Sequence, residues 1–162
     1  EIYIKERNAL EDSKTKKTVT TDDAAAFIAR FENGAIGLFE TSRISVGHKN
    51  DLSFEVNGSK GSVRFHLERL NELEVYFTDE PGEVQGFRTI MVTEPSHAYI
   101  KNWWPAGHCI GWEHTFVHQY CEFIKAITGD YTPSHNFYDG IKNQAVIEAI
   151  ENAALEKRWV KV

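Results

Sequence analysis

The chain has 162 residues, of which 41% are hydrophobic and 26% charged, with a formal net charge of −6. Its 10 Phe, 6 Tyr and 4 Trp exclude a disordered chain, because they supply ample apolar surface to bury. The lack of a basic excess argues against broad nucleic-acid binding, no run of about 18 apolar residues exists to span a membrane, and two cysteines, Cys109 and Cys121, exclude a disulfide scaffold.

Residues 2–7 alternate apolar and polar side chains, the pattern of a half-buried strand. The chain therefore opens on Glu1 inside a strand, without the basic start and apolar stretch of a signal peptide. This suggests a fragment whose N-terminal part has been removed. Residues 8–18 are polar and carry Lys14, Lys16 and Lys17, which reads as a solvated loop. Residues 19–31 read as a strand. Asn33-Gly34 then predicts a tight hairpin with positive φ at both turn positions, and 36–44 is the return strand. Strands follow at 52–56, 62–67, 73–77 and 87–93, separated by turns at 47–50, 57–61 and 81–82. About seven strands joined by short turns make an antiparallel meander, because parallel pairing needs long crossovers.

Residues 95–112 are a long irregular stretch rich in aromatics, and such loops in compact domains tend to be functional. Residues 113–128 place Phe116, Val117, Tyr120, Phe123, Ile124 and Ile127 on one helical face, with Gly129 as the stop. A second helix runs over 139–156, with Asp139 as N-cap. It would turn Ile141, Ala145, Val146, Ala149, Ile150, Ala153 and Ala154 inward. Residues 159–162 alternate and could add an edge strand. The whole predicts an α+β fold: a large, mostly antiparallel β-sheet with helices packed on one face and the other face open for oligomerisation.

The chemistry is sparse. No Gly-x-Gly-x-x-Gly turn joins a strand to a helix. Gly58-Ser59-Lys60-Gly61 lies between two strands and reads as a hairpin turn. No P-loop and no Gly-x-Ser-x-Gly elbow occurs. His114 and His118 are four apart on a helix and His108 is close by, so a metal site built on these three is one reading. Thr115, however, stands where the zincin pattern needs Glu, and polar or packing roles are the other reading. His118 in particular borders the apolar stripe and reads as a satisfied interface histidine. The run 103–116 brings Trp103, Trp104 and Trp112 beside His108 and His114. Such a surface can stack on a sugar ring and hydrogen-bond its hydroxyls. The same tryptophans could equally anchor the loop to the core. Cys109 and Cys121 read as free, buried thiols in a reducing cytoplasm.

Several stretches resemble the C-terminal half of the Gfo/Idh/MocA oxidoreductases: 22–35 (Asp-Asp-Ala-Ala-Ala-Phe-Ile-Ala-Arg-Phe-Glu-Asn-Gly-Ala), 54–62 (Phe-Glu-Val-Asn-Gly-Ser-Lys-Gly-Ser), 68–73 (Glu-Arg-Leu-Asn-Glu-Leu), the Trp-Trp-Pro to Glu-His-Thr-Phe loop, and 140–150 (Gly-Ile-Lys-Asn-Gln-Ala-Val-Ile-Glu-Ala-Ile). The resemblance covers essentially the whole chain. It implies a single domain over 1–162 that binds substrate and mediates assembly, in a longer protein whose N-terminal Rossmann domain is absent from this chain. It also implies NAD or NADP in the full-length protein and none bound by this chain alone, a sugar, polyol or related substrate, and a homo-oligomer formed through the open sheet face. The family's Gly-rich turn, Glu-Lys-Pro motif and Asp-x-x-x-His pair are not found, so no catalytic, cofactor-binding or metal-ligating residue carries over. The residues expected to line or close the substrate pocket are Trp103, Trp104, His108 and His114, with the His114 imidazole neutral at a helix start. The alternatives are a stand-alone binding module of the same fold without redox activity, and the histidine-based metal enzyme.

Overall fold

The computed structural model describes residues 1–129 and 131–162. Eight strands precede two helices in the order β1 (Glu6–Asn8), β2 (Lys16–Thr18), β3 (Ala24–Arg30), β4 (Ile36–Ser42), β5 (Ser53–Gly58), β6 (Gly61–His66), β7 (Glu72–Phe77), β8 (Arg88–Met91), α1 (Trp112–Thr128) and α2 (Phe137–Glu156). All pairings are antiparallel, so the α+β class and the antiparallel meander hold. Within the described residues the strands hydrogen-bond as β1–β2, β3–β4 and β5–β6–β7–β8. The chain forms two compact units, Glu1–His48 with Phe137–Val162, and Lys49–Asn136.

In the first unit, the strand expected over 2–7 begins only at Glu6, because Asp23 captures the residues before it. Asp23 is 2% exposed, and its carboxylate accepts the N–H groups of Tyr3 (2.9 Å) and Ile4 (2.8 Å) and pairs with Arg7 at 3.0 Å. The polar loop expected over 8–18 contains a strand instead. Lys16–Thr18 pairs with Glu6–Asn8, and the ladder rests on backbone bonds rather than on an apolar face. The strand expected from residue 19 starts at Ala24.

The Asn33-Gly34 turn is real but of another type. Phe31 N–H bonds to Ala35 C=O and Gly34 N–H to Phe31 C=O, which closes a three-residue loop. Only Gly34 takes positive φ, at 89°, and the Asn33 side chain caps the Ala35 N–H. A type I turn followed by a left-handed glycine, with its bulge, replaces the two-residue turn. Register places Ala25, Phe27, Ala29 and Phe39 on one face of β3–β4, where the Phe27 and Phe39 rings stack at 4.7 Å. The opposite face carries Ile28, Ile36 and Leu38, all exposed.

Helix α2 begins at Phe137, two residues before the expected cap. Asp139 therefore sits in the first turn, where a carboxylate suits the positive helix end. Of the residues expected inward, Ala149 is buried and Ile150 and Ala153 are half-buried, whereas Ile141, Ala145, Val146 and Ala154 are exposed. Residues 159–162 form no strand. The Arg30 guanidinium lies 5.7 Å from the Trp159 ring centre.

In the second unit, register separates the two faces of the sheet. Phe54, Val56, Val63, Phe65, Leu73, Val75 and Ile90 share one face, and Glu55, Arg64, Glu74 and Thr89 share the other. Gly61 is required where β6 meets β7, since a Cβ there would come 2.2 Å from the Tyr76 carbonyl oxygen.

The Asp23 contacts give a testable acid sensitivity. The Ile4 N–H does most to hold its carboxyl below the usual carboxylate range, against the raising effect of lost solvent, and Tyr3 and Arg7 add to it. A carboxyl depressed in the folded state contributes stability that is present above about pH 4 and is lost as pH falls through the folded value. Asp23→Asn keeps an acceptor for the two N–H groups but loses the ion pair. It is expected to lower the midpoint of thermal unfolding at neutral pH and to flatten its fall below about pH 4. Equal acid slopes for the two proteins would refute the assignment.

Candidate functional site

The loop over 95–112 is ordered by a few specific contacts. Ile100, 1% exposed, is its fully buried anchor. It starts a short 3-10 turn, Ile100–Asn102. Tyr99 before it adopts φ +67°, a left-handed conformation uncommon outside glycine. The Gly107 N–H reaches the carbonyl of buried Thr93. At the far end, the Asn71 side chain grips Ile110 twice: its Nδ2 donates to the Ile110 carbonyl (2.8 Å) and its Oδ1 accepts the Ile110 N–H (2.9 Å).

Helix α1 then begins with an uncommon cap. His114 occupies the third helical position and its Nδ1 accepts the Gly111 N–H at 3.0 Å, while the His114 N–H reaches the Gly111 carbonyl at 3.2 Å. The imidazole thus stands where Glu or Gln stands in a capping box, while the N-cap glycine, without a side chain, offers only its carbonyl to the His114 N–H. Nδ1 must be unprotonated to accept, so the neutral ring carries its proton on Nε2. The same Nδ1 lies 3.3 Å from Glu113 Oε1.

Three of the four expected pocket residues come together. Trp103 meets the His114 ring edge-on at 4.4 Å and Trp104 at 6.5 Å. His108 turns back onto its own loop, with Nδ1 3.0 Å from the Pro105 carbonyl. Trp104 and His108 are exposed, whereas Trp103 and His114 are half-buried.

Sequence reasoning left His118 two readings, a member of a three-histidine metal site and a satisfied interface histidine. His118 accepts the Trp103 indole N–H at its Nε2, 2.6 Å away, and its ring stacks on Tyr99 at 4.3 Å. Burial pushes the His118 imidazole below its ordinary value, His114 adds to this, and Glu122 opposes it. Asn71 and Tyr99 were missed. The available signal was the spacing of His114, His118 and Glu122, one polar stripe at intervals of four. That stripe is the covered side of α1, while Phe116, Val117, Tyr120, Phe123, Ile124 and Ile127 are all exposed. The loop covers this stripe because the two imidazoles find hydrogen-bonding and stacking partners in it.

Among the described residues, no group of three or more His, Cys, Asp and Glu side chains converges as a metal site. His118 Nε2 and His114 Nδ1 are already engaged, and His108 points elsewhere. Gly58 and Gly61 flank a two-residue turn between β5 and β6, where no helix N-terminus faces a phosphate. Cys109 and Cys121 are free but exposed, not buried. No helix among the described residues is long and apolar enough to cross a membrane.

Residues 2–162 match the oxidoreductase family, C-terminal alpha/beta domain. The levoglucosan dehydrogenase of Pseudarthrobacter phenanthrenivorans is 36% identical over 148 residues, which cover 91% of this chain and 38% of that protein. The crystal structure of an oxidoreductase domain protein from Kribbella flavida superposes with a TM-score of 0.92 at 42% identity, covering 99% of this chain and 42% of that one. A levoglucosan dehydrogenase in complex with NADH and L-sorbose superposes with a TM-score of 0.91 at 34% identity, covering 99% and 42%. The chain thus spans about two fifths of the length of these relatives.

Proposed function

Because the chain belongs to the Gfo/Idh/MocA oxidoreductase family, as its C-terminal alpha/beta domain, we propose that it is the substrate-binding and assembly part of an NAD(P)-dependent dehydrogenase acting on a sugar, polyol or related derivative. The observation that carries this reading is the cluster of Trp103, Trp104 and His114 on a clamped loop, in a chain similar throughout to a sugar dehydrogenase. Indole faces stack on the apolar face of a sugar ring, and imidazoles hydrogen-bond its hydroxyls. In this reading Trp103 and Trp104 supply the platform, and His114 and His108 supply polar contacts. The nicotinamide cofactor is held by a Rossmann domain outside these 162 residues, so the chain alone transfers no hydride. The exposed Ile28, Ile36 and Leu38 face of β3–β4 supports a homo-oligomer formed through the sheet. Two unpaired cysteines support a cytoplasmic setting.

The test uses the product of the complete reading frame that carries this chain, offered NAD+ or NADP+ with levoglucosan and L-sorbose as probes. Sugar-dependent NAD(P)H formation is expected from the complete protein and none from the 162-residue chain. His114→Gln preserves an acceptor for the Gly111 cap but removes the imidazole, and together with His108→Ala it is expected to impair turnover or sugar binding. Unaltered kinetics in both variants would remove these histidines from the site. A reading frame that starts near Glu1 and yields no NAD(P)H would leave a stand-alone binding module of the same fold.

A further inference from the structure

We propose that His118 is a positioning residue for Trp103. By accepting the indole N–H it fixes the plane of the indole and withholds its one donor, so that Trp103 meets a sugar through ring carbon alone. The inference deepens the sugar-site reading and rests on it for its meaning.

Two contacts set the imidazole. The Trp103 Nε1–H donates to His118 Nε2 at 2.6 Å, which requires a bare Nε2 and the neutral ring's proton on Nδ1. Burial holds this imidazole below its ordinary value, so the acceptor persists at neutral pH. The His118 ring also lies on the Tyr99 ring at 4.3 Å and 16°, and the stack holds its plane. Tyr99 itself stands at φ +67°, a conformation that a tyrosine keeps only when its surroundings enforce it. It leads directly into the Ile100–Asn102 turn. That turn fixes the Trp103 backbone, whose N–H bonds to the carbonyl of buried Ile100 at 2.9 Å. His118 then fixes the side chain.

His114 plays the complementary part. Its ring meets the indole edge-on at 4.4 Å and 71°, but its Nδ1 is spent on the Gly111 N–H. The proton of the neutral His114 ring is therefore on Nε2. The two histidines beside Trp103 thus hold opposite tautomers. His118 is the acceptor that orients the indole, and His114 keeps the N–H donor. A sugar hydroxyl at this cluster is bonded by His114 and not by the Trp103 indole.

The experiment is nitrogen–proton correlation spectroscopy of the full chain, with Trp103 assigned by its loss in Trp103→Phe and His118 by its loss in His118→Gln. The Trp103 indole proton is expected downfield of those of the other three tryptophans, as a short bond to imidazole requires, and the parent His118 ring is expected to carry its proton on Nδ1 at neutral pH. His118→Phe keeps a ring against Tyr99 but removes the acceptor. It is expected to cost the Trp103 signal at least half of its displacement and to speed exchange of the indole proton with water by about two- to tenfold, the protection that one net hydrogen bond supplies. His118→Gln loses the ring but keeps an acceptor, and it is expected to restore most of both. Cross-relaxation between the Trp103 and His114 ring protons reads the orientation itself, and it should weaken in His118→Phe and return in His118→Gln. A parent His118 protonated on Nε2 would overturn the proposal without any variant. So would a Trp103 resonance that stays in place in His118→Phe, or one as displaced in His118→Gln as in His118→Phe. If His118→Phe does not fold, the parent tautomer and the position of the Trp103 signal in His118→Gln decide. No sugar enters the measurement, so its failure is distinct from failure of the dehydrogenase reading, which the turnover assay reports.

Discussion

Truncation of Ile100 to alanine is expected to lower the stability of the chain by about 2–5 kcal/mol, the cost of removing a fully buried aliphatic side chain whose surroundings collapse only partly. For a domain of this length that corresponds to a fall of roughly 4–20 °C in the thermal midpoint. Ile100 is 1% exposed and is the largest fully buried side chain among the described residues. Its backbone is equally committed, since the Trp103 N–H bonds to its carbonyl at 2.9 Å. The damage should therefore reach the loop before the strands. Ile100→Val, which removes a single methylene, is expected to cost only about 0.5–1.5 kcal/mol. The measurement is thermal unfolding followed in parallel by circular dichroism and tryptophan emission. A midpoint in Ile100→Ala within about 2 °C of the parent, a shift worth less than about 1 kcal/mol at this size, would show that the side chain is not a packing anchor.

Periodicity made the elements legible but not their orientation. The 3.6-residue pattern located α1 to within one residue at its start, because apolar spacing on a helix is a local property. Which face turns inward is not local. It depends on what the rest of the chain presents, and here Trp103 and Tyr99 present hydrogen-bonding and stacking groups that suit His114 and His118. Lys16–Thr18 escaped notice for a related reason: its polar side chains hide a strand whose ladder is entirely backbone. The hairpin at Asn33-Gly34 was visible because glycine marks a left-handed position. The choice between a two- and a three-residue loop is settled by strand register, which spans more chain than the turn itself. At the site, residue types indicated Trp103, Trp104 and His114, while Asn71 lies 39 positions from the backbone it holds, a separation that composition and spacing do not bridge.

Asn71 is the second position where a large effect is expected. Its amide holds both polar groups of one residue, the N–H and the C=O of Ile110, and its own carbonyl accepts the Val92 N–H at 2.9 Å. It thereby ties the end of the aromatic loop to the sheet. Asn71→Ala leaves both Ile110 groups without their partner, at a cost of about 1–3 kcal/mol for each that water cannot reach. Asn71→Asp separates the two bonds. The carboxylate still accepts the Ile110 N–H but sets an oxygen against the Ile110 carbonyl, so it should recover less than half of the loss. Because the clamp lies one residue before Gly111, whose N–H is capped by His114, release is expected to fray the first turn of α1 and to loosen the Trp103–His114 contact. Amide hydrogen exchange reads this locally: Ile110 and Gly111 should exchange faster in Asn71→Ala, while the β3–β4 amides keep their parent rates. Uniform acceleration across the chain would instead mean that Asn71 supports the fold as a whole and not the loop in particular, and unchanged exchange at Ile110 would mean that the clamp holds nothing.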